Sequence, residues 1–261
     1  MKKNIVALLF LSLGILLACS LAMAANPYTA GTGVQGSPHD LSRAGNGLAW
    51  DAPTAAEEPL DRICIYCHAP HHTMTPAEAL TLGITYYPLW NHNVTPHADY
   101  QLYQNNTGGD IPNQIPKQLN AALTQPGSIS KLCLSCHDGS VAISSYGQLG
   151  GGVSSSQHVG TAFASGRIGI GTSPNSLMNH HPIGFDYTAV AVNPDDGIKD
   201  ASSSLLGANS FSLTINDLLI AGKMECSSCH DVHNKRVEPL STQLTIVRDV
   251  QSNLCFTCHD K

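Results

Sequence analysis

Cys226-Ser227-Ser228-Cys229-His230-Asp231-Val232-His233 is the stretch on which the reading of this chain turns, and Cys255-Phe256-Thr257-Cys258-His259-Asp260-Lys261 repeats its pattern at the C-terminal end. Each has two cysteines separated by two residues and a histidine directly after the second cysteine. The same pattern stands further upstream, at Cys64-Ile65-Tyr66-Cys67-His68 and at Cys133-Leu134-Ser135-Cys136-His137, so eight of the nine cysteines fall into four such motifs. The motif starts, at 64, 133, 226 and 255, are 69, 93 and 29 residues apart. The first two motifs stand alone in sequence, and the last two form a close pair.

C-x-x-C-H is the attachment sequence for c-type haem. Two thiols add to the two haem vinyl groups, and the next residue then lies under the iron, where an imidazole nitrogen is a ligand that iron takes. Zinc sites and redox dithiols also use C-x-x-C, but neither needs a histidine after the second cysteine. Disulfides leave the histidines unexplained. Histidine is 13 of 261 residues, so four chance placements have odds of about one in a hundred thousand against a motif of known chemistry. Four covalent haem c groups are therefore expected, on Cys64 and Cys67, Cys133 and Cys136, Cys226 and Cys229, and Cys255 and Cys258. His68, His137, His230 and His259 are the expected proximal iron ligands.

Nine histidines remain for the other face of each iron, against three methionines after the N-terminal segment, so histidine is the expected sixth ligand. His71 and His233 each follow a proximal histidine by three residues. A ring so placed is on the proximal side of its own haem and cannot easily pass the porphyrin, so any iron it binds belongs to a different haem. His181 precedes Pro182, which biases it to extended backbone from which a ring can project. His180 is its rival. His39 lies in a Gly- and Ser-rich arm, where Asp40 can start a turn or cap that places it. His72, His92, His97, His158 and His180 are then surplus, expected as surface or second-shell histidines.

The N-terminus reads as a targeting signal over 1–24. Lys2 and Lys3 precede an apolar run from Ile5 to Leu17, and Ala22-Met23-Ala24 is an A-x-A cleavage pattern. A second reading makes Leu16-Leu17-Ala18-Cys19 a lipoprotein signal with Cys19 lipidated, and a third keeps the segment as a membrane anchor. No other stretch is long enough to span a bilayer. Removing 1–24 leaves 11 basic against 19 acidic residues, a balance of −8, which disfavours a nucleic-acid partner.

The expected fold over 25–261 is that of a multihaem cytochrome c. It has low regular secondary structure, mostly loops with a few short helices wrapped around a haem stack. Macrocycles replace much of the aliphatic core, and ligation supplies folding energy. Short helices are expected at Pro76 to Thr81 and Asn216 to Lys223, a brief strand at Ser212 to Ile215, and irregular loop from Ser144 to Ser176, which holds eight glycines.

The order of these stretches resembles the multihaem surface cytochromes of metal-reducing bacteria. His39-Asp40-Leu41-Ser42, the first motif with Ala69-Pro70-His71, Pro88-Leu89-Trp90-Asn91, the second motif with Asp138-Gly139, His181-Pro182-Ile183-Gly184-Phe185-Asp186-Tyr187 and the last two motifs carry the likeness from about Pro38 to Lys261. It is especially similar to the tetrahaem, OmcE-like members, some of which polymerise into extracellular filaments. The resemblance implies bis-histidine haems in a continuous stack, with His39, His71, His181 and His233 as distal ligands by position. In filament members one distal histidine can come from the neighbouring subunit. The doubled His180-His181 departs from the single histidine expected before proline.

The function expected is electron transfer, in an exported protein at the outer surface or beyond it. Its partners would be other multihaem cytochromes, extracellular electron acceptors or further copies of the chain. A soluble periplasmic shuttle is the first alternative. The second is a multihaem reductase, which needs an iron with an open position. The histidine surplus argues against that, and no catalytic residue is expected.

Overall fold

The computed structural model describes residues 33–42, 60–103, 119–147, 176–192, 197–204, 213–233 and 253–260, less 38, 72, 96, 120, 121, 139, 142–144 and 179. The expected signal over 1–24, Cys19, His72 and His158 lie outside them. So does the Gly-rich segment from Ser144 to Ser176, apart from 145–147 and 176.

Regular structure is sparse among the described residues, which are mostly turns and loops. Helix α1, Pro76–Thr81, has the bounds expected of it. Its start is a reciprocal cap. The Glu78 N–H donates to the Thr75 hydroxyl at 3.3 Å, and the Thr75 N–H donates to the Glu78 carboxylate at 2.7 Å. Pro76 opens the helix, where its missing N–H costs nothing. Helix α2, Ser128–His137, carries the second motif in its last turns and buries Leu132 and Leu134. The first motif lies on a 3-10 turn, Cys64–Tyr66. The third and fourth lie on α4, Cys226–Cys229, and α5, Asn253–Cys258.

Two short strands, β1 (Phe185–Asp186) and β2 (Lys223–Met224), pair antiparallel, with Phe185 opposite Met224 and Asp186 opposite Lys223. Helix α3, Tyr187–Val190, follows β1 directly, and the Ala189 N–H donates to its N-cap Asp186. Gly184 makes this junction possible. It has φ +81°, and an added Cβ would meet the Thr124 carbonyl oxygen at 2.6 Å. A side chain there would be both strained and blocked.

Two local expectations are corrected. The helix expected from Asn216 to Lys223 is a 3-10 turn over Ile215–Leu218. The Thr214 N–H donates to Asp217 at 2.7 Å, which starts the turn one residue early. Ala221 and Gly222 then adopt φ +51° and +80°, turning the chain back so that Lys223 enters β2. The strand expected from Ser212 to Ile215 is reduced to one bridge between Ser204 and Thr214, and Ser212 lies outside the described residues.

Among the described residues the apolar interior forms three small clusters, and two of them include motif cysteines. The largest gathers Leu119, Phe185, Tyr187, Val190, Ala201, Ile215, Leu218, Leu219 and Met224, with Cys229 and Cys258 packed against it. A second gathers Met74, Ala79, Ile84, Trp90 and Leu132, with Cys67 packed against it. Tyr100, Leu134 and Leu177 form the third. Helix α2 belongs to two clusters at once, through Leu132 and Leu134. No helix among the described residues is long and apolar enough to cross a membrane.

Candidate haem sites

Motifs two and three are joined by one buried carboxylate. Glu225, 3 % exposed, precedes Cys226 and reaches the start of α2. There it accepts the Gly127 N–H at 3.1 Å and the Ser130 hydroxyl. Ser130 in turn accepts the Cys226 N–H at 3.0 Å. The unpaired N–H groups at a helix start favour a negative group. Burial nevertheless raises the Glu225 pKa, partly offset by its bonds to Ser130 and Gly127. At the other end of α2, Asp138 follows His137 and is buried. It accepts the Tyr100 hydroxyl at 2.7 Å, the Ser140 N–H at 2.8 Å and the Thr95 hydroxyl.

The first and fourth motifs are held in a second way, which is the same at both. The Asn91 N–H donates to the Cys67 carbonyl at 2.9 Å, and its Nδ2 donates to the Ile65 carbonyl at 2.6 Å. The Lys199 N–H donates to the Cys258 carbonyl at 2.9 Å, and its Nζ donates to the Phe256 carbonyl at 2.6 Å. Trp90 bridges to His68, and Ile198 bridges to His259. The Ala69 N–H donates to the Leu89 carbonyl, and the Asp260 N–H donates to the Gly197 carbonyl. Leu89 and Gly197 both have positive φ, +52° and +71°.

The eight motif cysteines form no disulfides. Burial, with neighbouring cysteines adding to it, pushes Cys67 up to about 12 and Cys229 up to about 11. Burial, with Asp138 adding to it, pushes Cys136 up to about 12. Cys133 shares a hydrogen bond with Cys226, which holds Cys133 protonated. The same bond lowers Cys226, against its burial. Cys67 feels Cys136, Cys133 bonds Cys226, and Cys229 feels Cys258, so consecutive motifs present neighbouring thiols.

Three motif histidines each face a second histidine. The ring centroids of His137 and His39 are 6.0 Å apart, those of His68 and His233 are 6.1 Å apart, and those of His259 and His181 are 6.4 Å apart. An imidazole nitrogen sits about 2 Å from a bound metal, so one iron between two imidazoles sets their centroids about 6 Å apart. The imidazoles come in pairs. Among the described residues no group of three or more His, Cys, Asp or Glu side chains lies together to hold a bare ion.

Local structure explains the placement of each ring. His39 sits in a turn where Asp40 accepts the Gly36 N–H at 2.7 Å and the Ser42 N–H at 3.2 Å. Burial and then the nearby rings of His137, His230 and His233 push its pKa down to about 4. Burial lowers His137 and His259 as well. His68 Nδ1 lies 2.6 Å from the Pro88 carbonyl, and His181 Nδ1 lies 3.0 Å from the Pro182 carbonyl. A carbonyl only accepts, so each Nδ1 carries the proton and each Nε2 keeps a lone pair. His233 is crossed over to the first motif, away from His230. His181, not His180, meets a proximal ring. His71 is exposed and makes no ring contact among the described residues.

Sequence reasoning passed over Asn91, Lys199 and Glu225 as positioning residues. The only signals for them were a lone Asn after Trp90 and a Glu directly before a motif. His92, set aside as surplus, is buried at 2 % exposure, and its Nε2 lies 3.5 Å from Cys136 Sγ.

Residues 220–261, which hold the last two motifs, match a family described as a doubled CXXCH motif. No curated protein matches the chain. That segment is a multihaem c-type cytochrome-like region. Its motifs indicate covalently bound c-type haem and electron transfer, the work of a carrier more than of an enzyme.

Proposed function

We propose that the chain is an exported tetrahaem electron-transfer protein with a bis-histidine iron at each motif. One observation carries this reading: three proximal histidines each stand 6.0 to 6.4 Å from one further histidine. In this reading His137 pairs with His39, His68 with His233 and His259 with His181. His230 is the remaining proximal ligand and His71 the remaining candidate to serve it. Bound c-type haem supplies reversible one-electron chemistry at iron. The chain's residues attach it, orient the imidazoles through the Pro88 and Pro182 carbonyls, and set consecutive motifs side by side. A reductase needs one open position, and paired imidazoles leave none at the three irons so assigned.

His39 stands beside His137 of its own chain, the arrangement a self-contained carrier needs; a filament linked through the N-terminal arm would instead set His39 at an iron of a neighbouring copy. Sizing and electron microscopy of native protein separate the two, since a carrier stays single at high concentration and a filament does not. The test of the haem assignment is intact mass after denaturation, expected to exceed the chain cleaved after Ala24 by four haems. His39→Ala, His181→Ala and His233→Ala should each leave four haems attached and turn one iron high-spin. A variant with all four irons still low-spin would remove that pair from the assignment.

A further inference from the structure

The first and fourth motifs are held by matching patterns of contacts, and of the two holding side chains, Asn91 and Lys199, only Lys199 is charged. At each, an outside residue gives its N–H to the carbonyl of the second cysteine and its side chain to the carbonyl of the residue after the first cysteine. Those residues are Asn91 and Lys199. The residue before each bridges to the proximal histidine, and the residue two before has positive φ and accepts the N–H that follows that histidine. Residues at the same place in two copies of one contact set do the same mechanical work, so any difference between them is chemical. Asn91 is neutral. Lys199 brings an ammonium group 2.6 Å from the Phe256 carbonyl, within the loop that carries Cys255 and Cys258.

We propose that Lys199 is a positioning residue that also sets the reduction potential of the group attached at the fourth motif, with Asn91 as its neutral counterpart at the first. The inference rests on the haem assignment above. Reduction adds one electron to the iron, and a fixed positive charge nearby stabilises the reduced form, so the potential rises. The opposing charge is Asp260, whose carboxylate lies 3.7 Å from Nζ. Its side chain is 52 % exposed against 24 % for Lys199, so water screens it more than the ammonium. Asp200, next in sequence, is exposed and more fully screened.

The test is a potentiometric titration of the holoprotein, with haem-methyl NMR signals separating the four haems. Intact mass is taken first, because four attached haems keep the underlying assignment standing whatever the potentials do. Lys199→Gln keeps a donor and loses the charge, and Lys199→Arg keeps both. Lys199→Gln should lower the midpoint of the fourth-motif haem alone, and Lys199→Arg should leave it near its original value. Asn91→Lys should raise the midpoint of the first-motif haem. If Gln and Arg lower the fourth-motif potential alike, Lys199 acts only by holding the loop and the proposal fails. It fails equally if neither substitution moves that potential, or if every haem moves together.

Discussion

The inner and outer motifs are built by different means. Motifs two and three meet through side chains of the buried interior, where Glu225 and Ser130 tie the start of α2 to the backbone of Cys226. Motifs one and four are held chiefly by backbone pairing to a short extended segment, and their first cysteines, Cys64 and Cys255, are exposed. A carboxylate in the interior is costly unless its bonds are complete. At the fourth motif Lys199 and Asp260 are 24 % and 52 % exposed, so a bond broken there loses less, because water replaces it. The stability of the molecule should therefore reside at the inner junction, and its access to partners at the outer ones.

The sharpest way to break that contrast is Glu225→Ala. It leaves the Gly127 N–H and the Ser130 hydroxyl without their acceptor, and should cost about 3 kcal/mol in denaturant unfolding of the holoprotein. A loss no larger than that of a surface variant would show that the inner junction is not where stability resides. Gly184→Ala acts between the two regions, since Gly184 donates to the Met224 carbonyl ahead of motif three and follows the His181 segment that faces motif four. Strain at φ +81° and the approach to Thr124 should cost about 2 kcal/mol. It should also disturb the low-spin spectrum of one haem. Asn91→Ala leaves the Ile65 carbonyl without its buried donor and should cost about 1 kcal/mol, with all four haems still attached by mass.

The smallest effect is a pH slope. Burial holds the Glu225 pKa above the ordinary carboxylate range. A carboxyl whose folded pKa is raised contributes stability that is fully present below its unfolded pKa and is lost as pH rises through the folded one. Between those two points the wild type should lose stability relative to Glu225→Gln, which cannot ionise. Parallel curves for the two proteins in that window would remove the assigned cause.

What could be read from the chain was whatever is local. The four motifs announce their chemistry in five residues each, and α1 is written in Thr75, Pro76 and Glu78. The turn at Ala221-Gly222 was missed because the apolar spacing of Ile215, Leu218 and Leu219 looks helical until left-handed backbone interrupts it. That the ring beside His233 is His68 could not be read, because two distant segments have to meet before the pair exists. The rule that His233 cannot serve its neighbour excluded one partner without naming another. Glu225 was invisible for the same reason, since its bonding partners lie about a hundred positions upstream and only the folded interior brings them together.

The outer contact sets share one geometry but run in opposite orders along the chain. Leu89-Trp90-Asn91 follows the motif it holds, whereas Gly197-Ile198-Lys199 precedes its own. A polypeptide emerges N-terminus first. The first motif loop therefore appears before the segment that will brace it. The last loop arrives to find its brace already made. The two ends of the chain therefore differ in order of appearance, loop before brace at the first motif and brace before loop at the fourth.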